Sequence, residues 1–150
     1  MTTPTEFRQQ LRDLFGDQGL AVLATDAGGR PYTSLVAFAA TPDLGRLVFA
    51  TTRATRKFSN ILENPRVSLL IDNRANEVSD FRNAVAVTVL GIAAEVTGDG
   101  KEPLLSLYLA RHPHLAAFVE APSCALLQVS VEQYYLVSRF QNVSVWAPSP

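Results

Sequence analysis

The chain has 150 residues, 47% of them hydrophobic and 18% charged, which suits one globular domain with a sizeable core and excludes a disordered chain. A formal net charge of -1 removes the global basic field of a nucleic-acid binder, and the apolar runs are too short to span a membrane, so neither partner is expected. The single cysteine, Cys124, excludes an intrachain disulfide and argues against a thiolate metal site; with a polar stretch at Thr2–Gln10 instead of a secretory signal, a cytoplasmic protein is expected.

Residues 5–15 carry Phe7, Leu11, Leu14 and Phe15 at helical spacing, so they predict an amphipathic helix that ends at Gly16 or Gly19. Leu20–Thr25 and Tyr32–Ala39 predict two strands joined through Asp26-Ala27-Gly28-Gly29, and Thr41–Gly45 turns the chain into a third strand at Arg46–Thr51. Two tight turns in succession make this an antiparallel meander. A basic helix follows at about residues 53–63, stopped by Asn64-Pro65, and Arg66–Asp72 is the fourth strand. The polar residues 73–82 form a loop. Asn83–Val96 is a long strand with Val85, Val87 and Val89 on one face, Ala86, Thr88 and Leu90 on the other, and Gly91 at a bend or bulge. Residues 101–119 are helical in two pieces around Pro113, and Ala125–Val137 is the last strand, before a tail with Trp146.

Six strands, short turns and peripheral helices predict a six-stranded antiparallel β-barrel that is mainly β. Nothing in residues 1–150 reads as a linker or a repeat, so a single domain is expected. Side chains fill so small a barrel, which places any ligand site on its outside or at a subunit interface. Apolar residues on both faces of the long strand leave an outer patch for a second copy or for the helical segments to cover.

Chemistry concentrates at FATTRATRKFSNILENPRV, residues 49–67. A strand end runs into threonines and a helix start, where free backbone N–H groups and the helix dipole favour an anion. Thr51, Thr52 and Thr55 add hydroxyls, and Arg56 and Lys57 add charge. Residues 46–66 hold five basic residues and one acidic residue, so the excess is local; a capped, solvated helix is the plain alternative.

The elements G-x-PY-x-S-LV at Gly29–Val36, LVFAT at Leu47–Thr51 and T-RK-x-x-x-I-x-x-NPRVSLL at Thr55–Leu70 together resemble the pyridoxamine 5'-phosphate oxidase-like flavoproteins, over about residues 20–96 with an echo at 128–137. The resemblance implies an FMN-binding split β-barrel and a homodimer with FMN at its interface. By position it implies that Arg56 and Lys57 face the FMN phosphate and ribityl chain, that Ala50 and Thr51 line the cofactor, and that Ser34, Leu35 and Val36 run beneath the isoalloxazine ring. Thr52 and Thr55 join the set from helix-start chemistry. Ser34 and Ala39 stand where the family's oxidase has an arginine and a lysine, Ala86 stands in place of a glutamine, and LVSRFQNV at 136–143 replaces a motif that grips the vitamer. The vitamer phosphate therefore lacks its cations. RHP at 111–113 and LV-x-x-F at 136–140 look more like the heme-utilisation-related branch of the same superfamily.

The expected function is an FMN-dependent oxidoreductase acting on an unidentified small molecule. The alternatives are a heme- or deazaflavin-binding member of the same fold, or a non-catalytic flavin carrier or sensor. No catalytic acid or base and no metal site stands out. His112 and His114 read as solvated helix-turn residues, Cys124 as a buried inert thiol, and Asp72, Glu77 and Asp80 as ordinary charges of a polar loop. Tyr134, Tyr135 and Trp146 read as packing residues in preference to flavin-stacking ones.

Overall fold

The computed structural model describes residues 2–139 and 141–149; Met1, Phe140 and Pro150 lie outside the described residues, and with Phe140 the end of the 136–140 match. Helix α1 spans Pro4–Asp17 and begins with a capping box, in which Thr3 Oγ1 accepts from the Glu6 N–H at 3.1 Å and Glu6 accepts from the Thr3 N–H at 3.2 Å. It buries Phe7, Leu11, Leu14 and Phe15, each contributing roughly 2 kcal/mol. Strands β1 (Leu20–Ala27) and β2 (Arg30–Ala40) form a hairpin over Gly28 and Gly29, whose φ of 63° and 76° are what a two-residue primed turn demands. Strand β3 (Arg46–Thr52), helix α2 (Arg56–Glu63) and strand β4 (Arg66–Asp72) follow. Asn64, held extended before Pro65, ends α2 and accepts the Arg66 N–H at 3.1 Å.

The loop after β4 is more structured than a polar stretch suggests. The Asp80 carboxylate accepts N–H bonds from Ala75, Asn76 and Glu77 and starts a one-turn helix α3 at Asp80–Asn83, so strand β5 is Ala86–Glu95 and not the longer Asn83–Val96. Helix α4 (Lys101–Arg111), a 3-10 turn at Pro113–Leu115 and helix α5 (Ala116–Glu120) confirm the break at Pro113. Strand β6 (Cys124–Ser138) is the longest, and β7 (Asn142–Trp146), absent from the sequence reading, pairs with its end.

The sheet order is β3-β2-β1-β4-β5-β6-β7, and β3 also pairs with β6. That pairing closes a six-stranded antiparallel barrel, with β7 as a spur outside the closure. Its interior holds Leu23, Phe38, Phe49, Leu69, Val87, Val89, Leu127 and Tyr134. Helix α1 plugs one part of this core: Phe15 meets Phe38 edge-on at 5.4 Å. A second apolar cluster lies outside the barrel wall, where Leu104, Tyr108 and Val119 of α4 and α5 cover Ala39, Val48, Ala50 and Leu126. The helices thus cover part of the outer face, and the face of β1, β4, β5 and the end of β6 stays open.

Candidate functional site

Strand β3 delivers its last residues to the start of α2, and threonines stitch the junction. Thr55 is the N-cap: extended, it accepts the Phe58 N–H at 3.3 Å and donates to the Thr52 carbonyl at 3.1 Å. Thr51, buried, places its hydroxyl 2.8 Å from that of Thr55. The first-turn N–H groups of an α-helix have no intrahelical acceptor, and Thr55 satisfies one of them. The others, with the positive end of the helix dipole, remain available to an anion.

Beside this junction lies a cleft of about 350 Å³. Seven of the nine residues expected to hold a cofactor line it: Leu35 and Val36 from β2, Ala50, Thr51 and Thr52 from β3, and Thr55 and Lys57 from the helix start. Ser34 and Arg56 do not. Ser34 is half-buried with its hydroxyl oxygen enclosed and without a hydrogen-bond partner. Arg56 turns the other way, over the Tyr32 ring at 5.9 Å, into a separate cleft with Arg30 and Glu63. Neighbours in sequence leave the first turn of a helix about 100° apart, which sends the Arg56 and Lys57 side chains toward different clefts here.

The local excess of positive charge is also dispersed. Arg53 forms a two-pronged ion pair with Glu95 at 2.8 and 2.7 Å, Arg46 donates to Gln128 at 3.1 Å, and Arg66 lines another surface depression. Lys57 is the one cation among the described residues of the cleft. The outer wall comes from Tyr108, Leu115 and Phe118, which sequence reasoning missed. Tyr108 donates to the Ala37 carbonyl at 3.1 Å, and burial pushes its phenol up to about 12, so it stays protonated at physiological pH.

The other candidates resolve as packing. His112 is buried, not solvated: its Nε2 lies 2.7 Å from the Phe38 carbonyl, and its ring sits 5.0 Å from Tyr108. His114 is exposed. Cys124 is buried, and that burial raises its thiol above the ordinary value. Trp146 stacks on Tyr134 at 5.8 Å, and the Tyr134 hydroxyl donates to Leu44 at 2.7 Å; Tyr135 lies half-buried on the outer face. Asp72 pairs with Arg74 at 2.8 Å, and no cluster of metal-ligating side chains exists among the described residues. No helix among them is long and apolar enough to cross a membrane.

Residues 7–138 match the family model of pyridoxamine 5'-phosphate oxidase. None of the curated proteins matches the sequence. Among solved structures, a heme binding protein from Mycobacterium smegmatis superposes with a TM-score of 0.82 at 18% identity, over 93% of this chain and 57% of that one. HutZ, the heme storage protein from Vibrio cholerae, gives 0.68 at 18% identity, over 93% of each chain. A FAD-binding protein from Mesorhizobium loti gives 0.70 at 19% identity, over 85% of this chain and 90% of that one. The chain therefore spans little more than half of the first of these proteins, and at such identities the likeness is one of fold.

Proposed function

This chain belongs to the pyridoxamine 5'-phosphate oxidase family, and we propose that it is an FMN-binding oxidoreductase that works as a homodimer on a small molecule. The observation that carries this reading is the cleft at the β3–α2 junction, where a lysine, three threonines and a helix start face an apolar wall. That chemistry fits a phosphorylated cofactor with a flat apolar end. Lys57 and the first-turn amides would hold the phosphate by charge-assisted bonds, and Thr52 would add a hydroxyl. Leu35, Val36, Ala50, Leu115 and Phe118 would exclude water from the ring. Tyr108 would keep the backbone of β2 in place beneath it through Ala37. Bound FMN would supply two-electron redox chemistry.

Heme is the second reading. It is favoured by the fold shared with two proteins named for heme, and by His114, which is exposed on the segment that walls the cleft. Titration of the purified chain with FMN, riboflavin and hemin, followed by absorption, separates the readings. FMN should bind at least about tenfold more tightly than riboflavin, the effect of one charge-assisted contact. Equal affinity for FMN and riboflavin would remove the phosphate site, and a Soret band with no flavin binding would establish the heme reading instead.

A further inference from the structure

Apart from this site, α4 borders a larger cleft of about 610 Å³, within the range of small-molecule sites. The two clefts share no lining residue. This one opens between α1, the β2–β3 turn and α4. Its walls are apolar, built by Phe15, Ala40, Leu44 and Leu107, and two guanidiniums, Arg12 and Arg111, stand at it. Neither arginine forms an ion pair among the described residues. Arg12 donates to the Pro42 carbonyl at 3.2 Å, and Arg111 donates to the Gln18 carbonyl at 2.7 Å and lies over the Phe38 ring at 5.8 Å, so neither has an anionic partner. The Nε of Arg111 is enclosed and has no hydrogen-bond partner. Burial depresses the Arg111 guanidinium below its ordinary value, with no carboxylate to offset it. No acidic side chain lines the cleft, and Asp43 in the adjoining turn is taken up by the Thr41 hydroxyl at 2.6 Å and the Gly45 N–H at 2.9 Å.

A half-buried cation and a second cation at one apolar cleft, with no counter-ion for either, are an arrangement that an anion completes. The apolar walls add a requirement for an apolar body. From this combination we propose that the cleft binds a small amphiphilic carboxylate, with its head between Arg12 and Arg111 and its hydrocarbon against Phe15, Leu44 and Leu107. The inference does not rest on the flavin assignment, and its test does not use flavin.

The test is calorimetric titration of the full chain with octanoate, with 1-octanol and octylammonium as neutral and cationic controls of equal length. Octanoate should bind saturably at one site per chain. Octanol should bind at least about tenfold more weakly, because it lacks the charge-assisted bonds, and octylammonium should not bind. Arg12→Gln and Arg111→Gln should each weaken octanoate about tenfold. Gly16→Phe should abolish binding by filling the cleft, since a Cβ at Gly16 meets no atom within 4 Å and the substitution leaves both arginines in place. If Arg111→Gln does not fold, as judged by circular dichroism, Arg12→Gln decides, because Arg12 is an exposed helix residue. Absence of saturable octanoate binding, equal binding of octanol, binding of octylammonium, or octanoate affinity unchanged in all folded variants would each overturn the proposal.

Discussion

Lys57 and Arg56 are adjacent and carry the same charge, yet they line different clefts. If FMN occupies the β3–α2 cleft, Lys57→Ala should weaken FMN by about tenfold or more at low salt and leave riboflavin affinity unchanged. Arg56→Ala should change FMN affinity by less than about threefold, the effect of a screened charge that does not touch the ligand. Fluorescence titration of both variants checks this, and the opposite ranking would show that Arg56 swings in to take the phosphate. The same scale bears on substrate. Ala39 is buried under α4 and Ser34 is half-buried, so neither place offers a cation to a vitamer phosphate. Steady-state oxidation of pyridoxamine 5'-phosphate under air should therefore be negligible, and efficient turnover would contradict it.

At the scale of elements, the pairing of β5 with β6 shifts register between Leu90 and Gly91, where Glu132 is the extra residue of a bulge. A Cβ on Gly91 would lie 2.5 Å from the Ser130 carbonyl oxygen and 2.6 Å from Val129. Gly91→Ala should cost about 1–3 kcal/mol, read as a lowered denaturation midpoint. The Asp80 loop is a second element with a single organising group. Three backbone N–H bonds, led by that of Ala75, hold the Asp80 carboxyl below its ordinary 3.8. An acid depressed in the folded state stabilises it above the unfolded value, and that contribution is lost as pH falls through the folded value. Amide exchange at Ala75, Asn76 and Glu77 should therefore be slow at neutral pH and speed up below about pH 4, once allowance is made for its intrinsic pH dependence. In Asp80→Asn it should be fast throughout, and protection persisting in that variant would contradict the assignment.

These elements also show what the sequence makes legible. Asn64-Pro65 and the double glycine act on backbone dihedrals within a few residues, so the bounds of β4 and the site of the first hairpin could be read directly. Tyr108, Leu115 and Phe118 reach their cleft across more than 50 residues of chain, and no local pattern distinguishes them from other apolar helix positions. The burial of His112 is hidden for the same reason: its partner, the Phe38 carbonyl, lies 74 residues away. β7 is not legible because a short strand on an exposed spur has weak alternation.

For the whole molecule, the register aligns one outward residue from each of six strands: Leu35, Val22, Leu70, Thr88, Tyr135 and Val145. Flanking them are Leu20, Leu90 and Val143, also exposed. This row is mostly apolar, and the helical segments meet it at Leu35, beside Tyr108, Leu115 and Phe118. Leu35, 63% exposed, belongs both to this face and to the wall of the β3–α2 cleft, so whatever covers the face also borders the cleft. A second copy of the chain is the cover that the proposed function needs. Leu70→Asp tests it, because Leu70 sits in the middle of the row and does not line the cleft. A carboxylate buried there without a partner would cost several kcal/mol. Sedimentation at micromolar concentration should show a dimer for the parent chain and a monomer for the variant, and the monomer should bind FMN at least about tenfold more weakly if the cleft is completed across the interface. A parent chain that sediments as a monomer with flavin bound would disprove the shared site, and a monomeric variant with full flavin affinity would place the whole cofactor site within one copy.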